Sequence, residues 1–387
     1  MKRIVLFLLI FCLPFQLGYH FWLPQSFVAS FRIDYLSPTL YLVDLLVLCY
    51  FALYHSTILK VTKSIFTGYP GLSFLVLLLI NIYVSSGNPV TILAWARIIE
   101  YYYLFQLLCR ENNLRTKIKL PFLLSLTLVL SLALLQFLNQ SSLGGIFYYL
   151  GERPLSTAMS NVAKIGSLLR PYSTFSHPNS LAGYLLVVLV LLPMITKVKL
   201  FHRYTIAIIF LTLSKSAILA LLLLEILHIS LLWSFIITIF LSLLPLINSF
   251  LTLPSYIQIS FSSRNYLFPP TLEVLKNSWF AGIGLRQFVP QLAKYLPGNQ
   301  LSYLTLQPVH NVFLLIFTEI GFVGSAILMN IINHFKLSNP SRVKVISVLL
   351  LTGAVDHYWW TLPQNQLIIV LALALIVYDH ELRRNHH

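Results

Sequence analysis

The chain has 387 residues, of which 58% are hydrophobic and only 10% charged, with a mean hydropathy of +0.81. A soluble domain carries roughly 25% charged residues, so this composition excludes a soluble fold. The net charge of +15 suggests nucleic acid at first sight. Short cytoplasmic loops of membrane proteins collect Lys and Arg, however, and topology accounts for most of the excess.

A crossing of the ~30 Å hydrocarbon core takes about 20 apolar residues. Each such segment must close its own backbone hydrogen bonds, which makes helices the default. Apolar runs of this kind fall near 4–22, 36–54, 72–86, 90–108, 120–138, 180–196, 204–229, 231–250, 310–332, 344–361 and 365–379. The first follows Met1-Lys2-Arg3 in the manner of a signal peptide. Pro14-Phe15-Gln16 stands where a small-residue cleavage site belongs, so the run is read as a crossing. Cys12, Cys49 and Cys109 lie inside such runs without CxxC or CxxH spacing, as small core hydrophobes do.

Basic clusters at Lys2/Arg3, Lys60/Lys63, Arg110–Lys119 and Lys197–Arg203 alternate with these runs and are placed inside. Only two crossings between 204 and 250 would then put Lys336–Lys344 outside, against the same rule. A break at Ser214-Lys215-Ser216, giving two short helices there, restores the parity. The expectation is an all-α integral membrane protein of about 12 transmembrane helices, one domain over 1–387 with both termini inside. Two outer segments remain: 139–179, rich in Ser, Gly and Pro, and the large loop 251–309 before the tenth helix. Prolines divide the second into short amphipathic stretches such as Thr271–Phe280. No internal repeat is visible.

Both outer segments are basic, through Arg153, Lys164 and Arg170 in one and Arg264, Lys276, Arg286 and Lys294 in the other. That suits an anionic ligand at the membrane surface. A diphosphate lipid is one, since Arg grips phosphate oxygens in pairs; cations snorkelling to headgroup level would leave the same trace. The stretch Arg170 to His177-Pro178-Asn179 runs directly into a helix, where Pro178 and Asn179 also suit a simple cap and turn. After Pro308, His310 and Asn311 fall in the first turn of the next helix, at the outer water interface. A histidine there has the lone pair and water access that a general base needs, or serves as a polar anchor. Gly321 and Gly324 would permit close helix packing deeper in the same helix.

His310-Asn311, nine residues, then Gly321-xx-Gly324 resembles the signature of the O-antigen ligase and polymerase superfamily, which includes bacterial protein O-oligosaccharyltransferases. Arg170…His177-Pro178-Asn179 and Gly282-Ile283-Gly284, with Phe288 behind it and Arg264 upstream, resemble further motifs of that family, in register over 170–324. The first 160 residues add a compatible helix count. The resemblance implies a twelve-helix glycosyltransferase of the cytoplasmic (inner) membrane, its site facing outside. It would pass glycan from a polyprenyl-diphosphate carrier to an acceptor hydroxyl on glycan, lipid or protein, with inversion and no metal or other cofactor. Arg170 and Arg264 match the arginines held to bind the donor diphosphate, and His310 the proposed base. Lys215 departs from the Ser-Arg pair frequent in relatives, which removes a bidentate fork at that site.

The chemistry of the residues agrees. Fixed cations at the departing diphosphate stabilise the transition state above the ground state, and one histidine suffices as base in a single displacement. The outer segments offer no DxD pair or His/carboxylate cluster for a metal. Arg97, Glu100, Glu225 and Glu319 are intramembrane ionisable groups, functional candidates by default; Arg97 and Glu100 can also pair at i, i+3. Asp356-His357-Tyr358-Trp359-Trp360 reads as an aromatic belt or a rim for sugar rings. The competing function is a transporter or flippase of lipid-linked glycan, which fits the crossing number but calls for repeated halves. A non-catalytic assembly protein is the third reading.

Overall fold

A computed structural model describes the backbone of residues 1–159, 162–250, 255–333 and 340–385. Side chains are described for the same residues except 64, 67, 69, 70, 246–250, 255–265, 331–333 and 379–385. The chain is mostly helical. The short strands are β1 (Gly18–His20), β2 (Phe27–Val28), β3 (Phe31–Arg32), β4 (Thr39–Tyr41), β5 (Lys164–Ile165) and β6 (Leu168–Leu169), pairing β1–β4, β2–β3 and β5–β6, all antiparallel.

The first half runs through α1 (Lys2–Cys12), α2 (Leu42–Leu53), α3 (His55–Thr67), α4 (Tyr69–Val84), α5 (Pro89–Cys109), α6 (Leu114–Asn139) and the short α7 (Ile146–Tyr149). The run 4–22 is helical only as far as Cys12. Pro14 lacks the N–H a continuing helix needs, and residues 18–20 pair with 39–41 instead. For the same reason the run 36–54 turns helical only at Leu42. Helices α2 and α3 meet at 87°.

The second half holds α8 (Pro178–Ile195), α9 (Lys199–Leu211), α10 (Lys215–Leu221) with a π-helical turn over Leu222–Ile226, and α11 (Leu231–Phe250). It continues with α12 (Ser255–Ser278), α13 (Phe288–Leu292), α14 (Val312–Asn333), α15 (Pro340–Gly353), α16 (Tyr358–Thr361) and α17 (Pro363–Asn385). The break expected at Ser214-Lys215-Ser216 lies between α9 and α10, with Leu213 at φ +51. Residues 255–278 form one helix through Pro269 and Pro270, in place of the short separate stretches expected from the prolines.

Among the described residues three helices, α6, α8 and residues 312–330 of α14, are long and apolar enough to cross a membrane, or four counting the bent pair α2–α3. Helix α8 is the axis of the bundle. Every residue from Leu181 to Leu192 is buried, as in a helix apolar on all sides. It packs against α6, α9, α10, α15 and α17. In lipid such contacts hold by close packing rather than by exclusion of water. A Cβ on Gly183 would stand 2.4 Å from the Tyr358 ring, so the glycine lets α16 close on α8. At one end of the bundle Lys344 pairs with Glu225 at 2.8 Å. At the other, residues 13–41, 140–159, 162–177, 279–311 and 354–364 meet in a polar layer, tied by Thr174 to the Pro14 carbonyl (2.6 Å) and Gln364 to the Thr174 carbonyl (3.2 Å).

Candidate functional site

The glycine motifs, 37 residues apart in sequence from Gly284 to Gly321, are one structural unit. Helix α14 breaks at Gly321 (φ 68°, ψ −174°), which frees carbonyls in the preceding turn. Ile283 N–H donates to the Thr318 carbonyl at 3.1 Å and Gly284 N–H to that of Glu319 at 3.0 Å. Beyond the break, Phe322 N–H donates to Trp279 at 2.7 Å and Val323 N–H to Phe280 at 3.0 Å. Gly321 is therefore the break itself, rather than a packing face within a continuous helix. Gly324 does pack, against Leu77 of α4. The Glu319 carboxylate is buried and accepts from Tyr35 Oη, Trp360 Nε1 (2.7 Å) and the Arg286 amide (2.8 Å). It braces the turn that presents Arg286.

The arginine motif is set by α6. Gln136, buried at its end, accepts from the amides of Tyr172 (3.0 Å) and Ser173 (2.6 Å) and donates to Glu152 (2.8 Å). This fixes the chain just after Arg170, and Gln140 Oε1, accepting from the Leu169 amide at 2.7 Å, fixes it just before. The Arg170 Nε donates to the Thr212 carbonyl at 2.6 Å, an acceptor released by the α9–α10 break, and its Nη2 to Asn179 Oδ1 at 2.6 Å. His177 Nδ1 accepts from the Asn179 amide at 3.1 Å and caps α8, with Pro178 in its first position. The cap and turn expected of Pro178 and Asn179 are thus made by His177 and Pro178, while the Asn179 side chain bonds Arg170 and Asp356 instead. Lys215 is exposed at the start of α10, beside the turn that Arg170 grips.

His310 lies ahead of α14 rather than in its first turn. Asn311 Oδ1 accepts from Phe313 and Leu314, both at 3.0 Å, so Asn311 caps the helix and Pro308 lies outside it. His310 is half-buried, with Nδ1 3.8 Å from Asp356 Oδ1 and its ring centroid 5.2 Å from that of His357. Asp356, in the turn between α15 and α16, accepts from Asn179 Nδ2 at 3.0 Å and from the His357 amide at 2.8 Å. Arg170, Asn179, Asp356 and His310 form one polar array drawn from three distant parts of the chain. Arg264 is on α12, its side chain outside the described residues; Phe268, one turn further on, lines the same small cavity as His310.

His357 Nδ1 contacts Thr361 Oγ1 at 2.9 Å. Burial pushes its imidazole down to about 3, assisted by His310, His177 and Arg286 and opposed by Asp356. Such a ring stays neutral at physiological pH, and is too weak a base to take a proton from a hydroxyl.

A cavity of about 1340 Å³ reaches His357, Trp360, Arg286 and Arg153. Arg170 and His310 do not line it. Arg97 does, but it is paired with Asp44 of α2, at 2.9 and 2.8 Å, and with the Thr39 carbonyl at 2.6 Å. The expected Arg97–Glu100 pair is thus replaced by a bidentate fork across helices. Glu100 Oε1 is buried without a hydrogen-bond partner among the described residues.

Among the described residues, those that could hold a metal ion are His310, Asp356 and His357, whose ligand atoms lie within 4.8 Å of one another. The sequence shows no such cluster because His310 and Asp356 come from different segments. In a tetrahedral shell with ~2.1 Å bonds, ligand atoms sit about 3.4 Å apart, so the His310–Asp356 pair would have to draw closer. A scan against protein-family models and searches of curated proteins and of solved structures gave no match.

Proposed function

We propose that this chain is a membrane glycosyltransferase moving glycan from a polyprenyl-diphosphate carrier to an acceptor hydroxyl, as O-antigen ligases and polymerases do, with inversion and without a metal. The observation that carries the reading is the array Arg170–Asn179–Asp356–His310. It places a guanidinium and a histidine, both singled out by sequence, on one polar frame.

In this reading the acceptor oxygen attacks the anomeric carbon while the bond to the diphosphate oxygen breaks. The acceptor's proton passes to His310, and the charge growing on the diphosphate is met by Arg170 and, from α12, Arg264. Arg170 uses two N–H groups on Thr212 and Asn179, out of the five a guanidinium carries. The cavity beside His357 has room for several sugar rings.

The decisive experiment incubates purified protein with a polyprenyl-diphosphate oligosaccharide, with and without acceptor. Elongation without added acceptor assigns a polymerase, and transfer only to added lipid or protein acceptor assigns a ligase. A donor left intact under all conditions removes the reading, and movement of intact donor across a bilayer favours the flippase instead. Transfer should also survive EDTA. Loss with EDTA and recovery with manganese or magnesium would turn His310, Asp356 and His357 into a metal site.

The reading includes about twelve crossings, counting the short helices α9 and α10 separately, with 139–179 and 251–309 outside. A cysteine at Ser302, in a chain freed of Cys12, Cys49 and Cys109, should then react with a membrane-impermeant thiol reagent on intact cells. Labelling only after permeabilisation would reverse the orientation.

A further inference from the structure

The bonds around Asp356 join parts of the site that the proposed reaction uses separately. We propose that Asp356 is the positioning residue of this site: it holds His310 in the orientation of a general base and, through Asn179, aims Arg170. The inference rests on the glycosyltransferase reading and goes beyond it, since Asp356 follows from the assembled site rather than from any motif.

Two close approaches place the residue. A Cβ on Gly353 would lie 2.6 Å from Val312 Cγ1, so the end of α15 can close on the start of α14 only without a side chain there. Gly183 does the same for Tyr358 on the other side. Asp356 is held between these two points, 7% exposed. An ionised carboxylate in such a place has to be satisfied by donors, and these are specific. Oδ1 accepts from the His357 amide and Oδ2 from Asn179 Nδ2. The two oxygens have about four lone-pair sites, so capacity remains for His310.

His310 Nδ1 is buried without a hydrogen-bond partner among the described residues, 3.8 Å from Oδ1. Catalytic hydrogen bonds are often long before substrate binds and tighten in the reacting complex. When His310 takes the acceptor's proton on Nε2, both ring nitrogens carry hydrogen. The Nδ1–H of the imidazolium then has a charge-assisted acceptor in Asp356. The proton moves from the acceptor oxygen to Nε2 and none passes to Asp356, which stays ionised.

Other charged or titratable groups do not fill this role. His357 faces the His310 ring but has its Nδ1 engaged by Thr361. His177 caps α8. Arg170 reaches Asp356 only through Asn179, and the side chain of Arg264 is outside the described residues. The Asn179 amide is fixed at both ends, its NH₂ on a carboxylate and its oxygen on a guanidinium. It is therefore a rigid spacer between the two halves of the chemistry.

A double-mutant cycle on the full chain in detergent, with variants first checked for unchanged elution and thermal unfolding, tests the role. Asp356→Asn keeps an oxygen for Asn179 but loses the charge. It should lower kcat on the order of 10²-fold with donor KM within about threefold. On a His310→Ala background the same change should cost nothing more, because Asp356 acts through His310. An equal second loss there would mean a merely structural residue and overturn the proposal. Asp356→Ala should also raise donor KM about tenfold, as Arg170 loses its aim, and Asp356→Glu should recover part of kcat. An unchanged donor KM in Asp356→Ala would remove the Arg170 half. Wild-type protein that binds donor but never transfers it would instead remove the glycosyltransferase reading, and this role with it.

Discussion

His310→Ala should lower glycan transfer by roughly 10²–10⁴-fold, the usual contribution of a positioned base, while donor binding holds. The substitution is a clean probe, because His310 Nδ1 is left without a hydrogen-bond partner among the described residues. Its removal should therefore alter folding by no more than about 1 kcal/mol. His357→Ala is the matched control. It removes the ring that meets Thr361 and keeps the hydrogen bond to Asp356, which comes from the His357 backbone amide. Because burial leaves the His357 imidazole a very weak base, its loss should cost less than about tenfold in turnover. Turnover measured against donor concentration on both variants checks the assignment. A severe loss in His357→Ala with a mild one in His310→Ala would exchange the two roles. Loss of donor binding in His310→Ala would make it a ligand contact.

What could be read in advance was what local pattern controls. Ser214-Lys215-Ser216 interrupts an apolar run, and the chain breaks there. Pro178 after His177 marks a helix start, and α8 begins on it. Hydropathy misled where a distant partner decided the outcome. Residues 18–20 fall at the end of the apolar run 4–22, yet Thr39–Tyr41 takes them into a ladder. Arg97 has Glu100 three residues away, but Asp44 offers a bidentate geometry that the shared helix face cannot. Asp356 could be seen only as part of an aromatic-rich stretch. Its importance depends on α8 and α14 arriving on either side, which no spacing within the segment encodes. The one advance signal was an ionisable residue at the end of an apolar run. The glycine motifs fall between these cases, visible as motifs while their mutual packing was not.

That packing carries the largest expected stability effect. Gly321→Ala should destabilise the protein by on the order of 3 kcal/mol or more, since two penalties coincide. Its φ of +68° is one that side chains rarely adopt, and a Cβ would stand 2.4 Å from the Gly282 nitrogen and 2.6 Å from the Phe280 carbonyl oxygen. Both obstacles are backbone, so no rotamer change relieves them. Gly282→Ala meets the reciprocal problem, with φ +78° and the Glu319 carbonyl oxygen 2.4 Å away. Gly166 separates the two penalties. It has a similar φ of +61° but nothing within 4 Å of an added Cβ, so Gly166→Ala should cost only the conformational part, about 1–2 kcal/mol. Thermal unfolding of the three variants in one detergent provides the measurement. The first two should unfold well below the third. They should also lose transfer activity, because the Gly282–Gly284 turn carries the Arg286 amide onto Glu319. If Gly321→Ala unfolds no earlier than Gly166→Ala, the turn and the helix break are not packed together, and the shared spacing of the two glycine motifs needs another cause.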